Sequence, residues 1–208
     1  MASRSDGTLA ERKRQLVADE LRDAALMLLA TKGFDTVTVD DIAAAAGVSR
    51  RTFFRYFASK EDVVVRWLAD MSQVIVGVLA TRPPAEPPSR ALRHAVWAPL
   101  ALCTDHPDHT ERSRVVARLI LDTPALEARW MEYQVRVRAD LAAELAARHG
   151  LDPQADAWPR LAAGMALLAL DQVLQQWRPD DDEHRLALLT DAAFAVLAPA
   201  FDAPLRSG

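Results

Sequence analysis

One cysteine, Cys103, occurs in the 208 residues, so no internal disulfide can form and no paired-cysteine zinc spacing is present. The seven glycines are scattered, and G-x-S-x-G, H-E-x-x-H and a Gly-rich phosphate loop are all missing. Their absence leaves no hydrolytic or nucleotide-binding pattern, and the expectation is a protein that is not an enzyme and carries no cofactor. Neither sign of charge dominates: 25 Lys and Arg stand against 29 Asp and Glu, a net charge of −4. A basic nucleic-acid-coating tail is thereby excluded. The N-terminal run MASRSDGTLAERKRQ lacks the apolar core of a signal peptide, and no uninterrupted apolar run approaches membrane-spanning length. The sequence therefore predicts a cytoplasmic protein with no membrane partner.

Half of the residues are hydrophobic, enough for a substantial core. Their spacing is helical throughout, with no alternating strand pattern, so the sequence predicts an all-α protein of about nine helices. Residues 1–8 read as a polar arm carrying Arg4. Thr8 and Glu11 form a capping box for a first helix that ends at Gly33, with Arg12, Lys13 and Arg14 near its start.

The stretch Thr38–Phe57, TVDDIAAAAGVSRRTFFRYF, reads as two short helices around a tight turn. Thr38 and Asp41 have capping-box spacing, and Val39, Ile42, Ala43 and Ala46 share one face. Gly47 suits the left-handed turn, Val48 plugs the corner, and Ser49 caps the second helix. Phe53 and Phe57 point back toward the first helix, while Arg50, Arg51, Thr52 and Arg55 have no apolar reason to be buried. This is the arrangement of a helix-turn-helix whose second helix enters the DNA major groove. Residues 1–62 hold ten cations and ten acids, yet from Ile42 to Lys60 there are four cations and no acid. Local placement of cations decides phosphate neutralisation.

The run IAAAAGVSRRTFFRYFASKED resembles the DNA-binding signature of the TetR family of bacterial transcriptional regulators. The match lies in the Ile-Ala start, the Ala-Gly-Val-Ser turn, the Thr before an aromatic pair, the Tyr-Phe and the Ser-Lys-Glu-Asp that follows. Many members carry Tyr where Phe54 stands, so a phosphate contact through that hydroxyl is unavailable, and Arg51 stands where a small residue is common. The candidate DNA-binding set is Thr38, Ser49, Arg50, Arg51, Thr52, Phe54, Arg55, Tyr56 and Lys60. Within it Arg50, Arg51 and Thr52 are the expected base readers, and Ser49, Tyr56 and Lys60 the expected phosphate contacts.

Ser59 with Asp62 starts a fourth helix, running to about Ala80. The domain expectation places residues 9–80 in the DNA-binding domain with this connecting helix, 81–88 in a Pro-rich linker (TRPPAEPP), and 89–208 in a helical ligand-binding and dimerisation domain. Helix ends are expected at Ser89 and Cys103, at His109 and Leu121, at Pro124 and Arg148, at Asp156 and Trp177, and at Glu183 and Ala198.

Tryptophans and long apolar side chains on helices four, five and seven, with two arginines that lack an acid at i+4, outline a candidate effector site. It comprises Trp67, Met71, Ile75, Trp97, Leu100, Arg114, Arg118, Trp130 and Tyr133. The run RLILDTPALEARWMEYQ also resembles the effector domain of actinobacterial mycofactocin-system regulators, which implies an amphiphilic, acyl-CoA-like ligand. Helix eight is apolar on nearly every face and must be covered on all sides. Leu161, Met165 and Leu168, with Leu189, Ala193 and Val196 of the last helix, are the candidate homodimer interface, as the family resemblance also implies.

The functional expectation is a homodimeric regulator, most simply a repressor, that releases a palindromic double-stranded DNA operator when a small apolar or amphiphilic effector binds. Two other readings stand beside it. One is a ligand-independent helix-turn-helix regulator with a filled core. The other is a metal-responsive regulator using Cys103, His106 and His109, whose three-residue spacing is also that of an ordinary Asp- and His-rich interhelical turn.

Overall fold

The computed structural model describes residues 9–104, 107–178 and 181–202, with the backbone alone at 10, 107–109, 111–112 and 121. Among the described residues there are nine helices and no strand. They are α1 (Leu9–Lys32), α2 (Val39–Ala45), α3 (Arg50–Tyr56), α4 (Lys60–Thr81), α5 (Pro88–Cys103), α6 (Pro107–Asp122), α7 (Pro124–His149), α8 (Trp158–Gln176) and α9 (Glu183–Phe201). The expected Arg4 arm and Thr8 cap lie outside the described residues.

The chain divides into two compact units, Met1–Trp67 and Leu68–Gly208, with the division inside α4. In the first unit α2 packs on α1 and on α3. Leu21, Ala25, Leu29, Ile42, Ala43, Phe53, Phe57, Val63 and Val64 form its core.

In the second unit α7 lies along α8, α8 along α9, and α9 along α5, with α6 against α7 and α8. The expected in-line residues of α5, Leu92, Val96, Leu100 and Cys103, are all buried, and Pro99 sits within the helix. The α7 stripe Leu126, Trp130, Tyr133, Val137, Leu141 and Leu145 is likewise buried, and Gly150 ends that helix at φ 65° in the left-handed region.

Three boundaries differ from expectation by two residues or more. The last helix passes Pro199 and ends at Phe201, because Phe201 is fully buried and stacked on Phe194, 5.6 Å between ring centres. That burial outweighs the one hydrogen bond a proline removes near a helix end. Pro107 serves as the start of α6, earlier than His109, and α8 begins at Trp158. Residues 82–86 also form a braced turn. Arg82 grips Glu86 through Nε and Nη2 at 2.7 and 2.6 Å, and Arg148 on α7 donates to the carbonyls of Arg82 (2.8 Å) and Pro83.

The all-round burial expected for α8 is not met within one chain: Leu161 is 62% and Leu168 56% exposed. By length and mean hydropathy, the segment through α4 and the helix α9 both reach the range of a membrane span, which corrects the expectation that nothing approaches it. Each nevertheless carries charged residues and a core-facing side, Leu68, Ile75 and Leu79 on α4 and Leu186, Phe194 and Phe201 on α9.

Candidate nucleic-acid interface and effector domain

The turn between α2 and α3 is held by local hydrogen bonds. Thr38 and Asp41 complete the capping box: Asp41 N donates to Thr38 Oγ1 at 3.2 Å and Thr38 N to Asp41 Oδ2 at 2.9 Å. The Thr38 hydroxyl also donates to that carboxylate at 2.6 Å, which holds Asp41 below its usual carboxylate range. The Thr38 proton is thus engaged within the cap. Gly47, at φ 65°, donates to the Ala44 carbonyl, and Val48 N to the Ala43 carbonyl at 2.9 Å, closing the corner. Ser49 caps α3 by accepting from Thr52 N at 3.1 Å, and the Ser49 and Thr52 hydroxyls are 2.9 Å apart.

On α3 the sides separate as expected: Phe53 is fully buried, while Arg50, Arg51, Phe54 and Arg55 are exposed. Arg50 Nη1 donates to Asp40 Oδ2 of α2 at 3.0 Å, and its guanidinium carbon lies 5.6 Å from the centre of the Phe54 ring. Arg55 lies over Tyr56, 5.1 Å from its ring centre, and donates to its hydroxyl at 3.3 Å. The Arg51 side chain makes no hydrogen bond or ion pair to another described residue.

Lys60 is placed differently from a purely surface cation. Its ammonium donates to the carbonyls of Phe34 and Val37 at 2.6 and 3.0 Å and lies over the Phe34 ring. Two of its three N–H bonds are committed to folding, which leaves one for a phosphate. The α4 start is capped as the sequence suggested, by Ser59 accepting from Asp62 N and Asp62 accepting from Ala58 N.

Of the candidate effector residues, Trp67 closes the first unit, half-buried, and the others stand in the second. Ile75, Leu100, Trp130 and Tyr133 are core residues, all under 9% exposed, and Met71, Trp97 and Arg114 are half-buried. Arg118 is exposed. Trp130 and Tyr133 stack at 6.3 Å, and the Tyr133 hydroxyl donates to the Ala69 carbonyl of α4 at 2.8 Å. Beside them, Gln134 Nε2 donates to both Asp171 oxygens at 2.8 and 2.9 Å, and the Trp130 indole also favours the ionised form of that carboxylate. Burial raises the Asp171 pKa despite these bonds, and burial likewise raises that of Tyr133.

Of the candidate dimer residues, Leu161, Leu168 and Val196 are exposed, and Met165, Leu189 and Ala193 half-buried. Leu161, Met165 and Leu168 line a shallow, largely apolar groove together with Val135, Arg138, Ala139, Arg160 and Gly164. Cys103 is buried on α5, whereas His106 and the side chain of His109 lie outside the described residues. Among the described residues no group of three or more metal-ligating side chains converges.

Residues 21–66 match the family described as bacterial regulatory proteins, tetR family, and residues 86–202 match the MftR C-terminal domain. The chain belongs to the TetR family. The regulator TcmR of Streptomyces glaucescens is 32% identical over 203 residues, covering 95% of this chain and 90% of that protein. A candidate mycofactocin biosynthesis transcriptional regulator, MftR of Mycobacterium tuberculosis, is 35% identical over 196 residues, covering 92% and 94%. Among solved structures, the fatty acid degradation regulator FadR of Bacillus halodurans has a TM-score of 0.64 at 25% identity, covering 91% of this chain and 96% of that one. FadR of Bacillus subtilis, solved with stearoyl-CoA, has a TM-score of 0.62 at 21% identity, with 88% and 98% covered, and shows the shared fold.

For this TetR-family chain the sequence reading overlooked Asp40, Gln134, Asp171 and Arg148. Asp40 and Arg50 are ten residues apart across a turn, Gln134 and Asp171 are 37 apart, and Arg148 reaches carbonyls about 66 positions away. One signal was available for Asp171, an acid on a helix otherwise almost wholly apolar.

Proposed function

We propose that the protein is a homodimeric repressor that reads a near-palindromic operator through α3 and is released by an amphiphilic, acyl-CoA-like effector. The observation that carries the reading is α3 itself. A short helix, capped at Ser49 and seated through Phe53, presents Arg50, Arg51 and Arg55 to solvent with no acid on the helix. Arginine forks read guanine O6 and N7, and a helix of this kind fits the major groove.

The dimer is supported by the apolar stripe on α8 and α9. Leu161, Leu168 and Val196 are 62%, 56% and 79% exposed, and fully burying such side chains is worth about 1.5–3 kcal/mol each. A second copy covering the stripe by two-fold symmetry gives a dimer with two α3 helices, and a palindromic operator offers them successive major grooves about 34–36 Å apart or a multiple of that. Reading a chromosomal operator puts the protein in the cytoplasm.

The effector reading is supported by the match to the MftR C-terminal domain and by the FadR likeness at 25% identity. Ile75, Leu100, Trp130 and Tyr133 are packed as core, so an acyl chain must select an arrangement in which they part. Effector binding shifts DNA affinity only by its differential affinity for the two arrangements, transmitted along α4, which begins in the first unit and ends in the second. The same packing favours a second reading, a regulator without an effector.

Selection of bound DNA from a random pool, repeated with stearoyl-CoA present, tests both. A palindromic consensus whose recovery falls with the thioester supports the proposal. Recovery unchanged by this and other acyl thioesters favours the ligand-independent regulator, and no enriched sequence removes both.

A further inference from the structure

We infer that Asp40 and Phe54 are positioning residues that hold the Arg50 guanidinium in a preset orientation for one guanine in each half-site, making them determinants of operator specificity. The inference rests on the DNA-reading role proposed for α3. Arg50 Nη1 donates to Asp40 Oδ2 at 3.0 Å, and the guanidinium carbon stands 5.6 Å from the centre of the Phe54 ring, one helical turn on. One guanidinium edge is thus tied by a carboxylate and one face is covered by a ring. The opposite edge, Nε with Nη2, keeps its donors, and that edge is the fork that matches O6 and N7 of guanine.

Folding accounts for little of the Asp40–Arg50 pairing. The Asp40–Arg50 pair is 63% exposed on both sides, and exposed pairs add little stability. Asp40 stands in the first turn of α2, where an acid favours the helix dipole, yet Asp41 already fills that role and caps the helix as well. A carboxylate beside a DNA-facing helix repels phosphate, so Asp40 weakens general attraction to DNA. Phe54 rests edge-on against the buried Phe53 ring, 5.5 Å between centres, yet remains 47% exposed. The two become useful together. A surface arginine surrenders rotamer freedom when it docks on a base, and a tied and stacked one has surrendered much of it beforehand. The side chain of Arg51, next in sequence, makes no hydrogen bond or ion pair to a described residue, so this arrangement singles out Arg50.

The test uses the full-length protein and the consensus operator selected from random DNA. Affinities are measured for that operator, for a set in which each base pair is replaced in turn, and for unrelated DNA. Arg50→Ala should abolish discrimination at one G·C pair per half-site and weaken operator binding about ten- to a hundredfold. Asp40→Asn and Phe54→Leu should weaken operator binding about three- to tenfold by losing discrimination at that same pair. Affinity for unrelated DNA should stay level or, for Asp40→Asn, rise. In an Arg50→Ala background, Asp40→Asn should cost nothing more.

Equal weakening on all sequences, loss at a different base pair, or an undiminished cost of Asp40→Asn without Arg50 overturns the inference and leaves the DNA reading standing. A wild-type protein that enriches no sequence overturns both. Phe54→Leu keeps an apolar side chain at an exposed site, and Asp40→Asn keeps the shape, so thermal melts matching wild type are expected for each.

Discussion

Lys60 Nζ donates to the Phe34 carbonyl at 2.6 Å and lies 4.3 Å from the centre of the same residue's ring, joining the first turn of α4 to the loop between α1 and α2. A second bond runs to the Val37 carbonyl. Lys60 therefore orders the residues that lead into the helix-turn-helix as well as standing near it. Lys60→Met keeps the apolar stem and removes the charge. Charge-assisted bonds of this kind are worth about 1.5–3 kcal/mol when buried, and this site is half-buried. A loss of about 1–2 kcal/mol in urea unfolding is expected. If the third N–H serves a phosphate, the slope of log K against log salt also falls by about 1. A variant as stable as wild type contradicts the folding role.

The features that were legible before the structure are those closed within a few residues. The Thr38–Asp41 box, the Gly47 turn, the Ser49 cap and the Ser59–Asp62 start each span five residues or fewer, and backbone valence dictates them. The buried stripes of α5 and α7 followed from helical spacing. Contacts set by packing were not legible. Arg148 reaches the Arg82 carbonyl, Ser89 donates through N and Oγ to Asp202 113 positions later, and Phe201 carries α9 past Pro199. No local rule connects such residues, because only the tertiary fold brings them into range. The candidate DNA residues rest on their expected exposure together with the family resemblance. Asp40, an acid near a helix start, has an ordinary explanation there, so its sequence position does not single it out.

Arg51 offers a cleaner test of base reading than Arg50, because its side chain is exposed and bonded to no described residue. Arg51→Ala should leave the unfolding free energy within about 0.5 kcal/mol of wild type. Specific operator affinity should drop by about 1–3 kcal/mol. Undiminished affinity for the selected operator excludes Arg51 from the base-reading set.

Leu168 lies at 56% exposure in the apolar stripe of α8, with Leu161 two turns earlier. Leu168→Asp places a charge where the proposed two-fold contact excludes water, and a buried unpaired carboxylate is not tolerated there. Sedimentation should show a monomer of about half the wild-type mass, and operator affinity should fall because each half-site is then bound alone. A Leu168→Asp protein that still sediments as a dimer moves the interface elsewhere.

Asp171 provides a test in which the sign is set by burial. Its carboxyl is raised from 3.8 chiefly by desolvation, against the lowering effect of Gln134 and Trp130. A raised folded-state value means that the folded chain keeps this proton to a higher pH than the unfolded chain does. The stability contributed by the protonated form is complete below 3.8 and is lost as pH rises through the folded-state value. Asp171→Asn holds the side chain neutral at every pH and retains an amide oxygen to accept from Gln134. Any cost of the altered hydrogen bonding is constant across pH. Relative to wild type, the variant should therefore gain stability as pH rises above the ordinary carboxylate value of 3.8. Urea unfolding at fixed protein concentration across that range measures it. A difference that stays flat or shrinks as pH rises would show that Asp171 is ionised as readily in the folded chain as in the unfolded one.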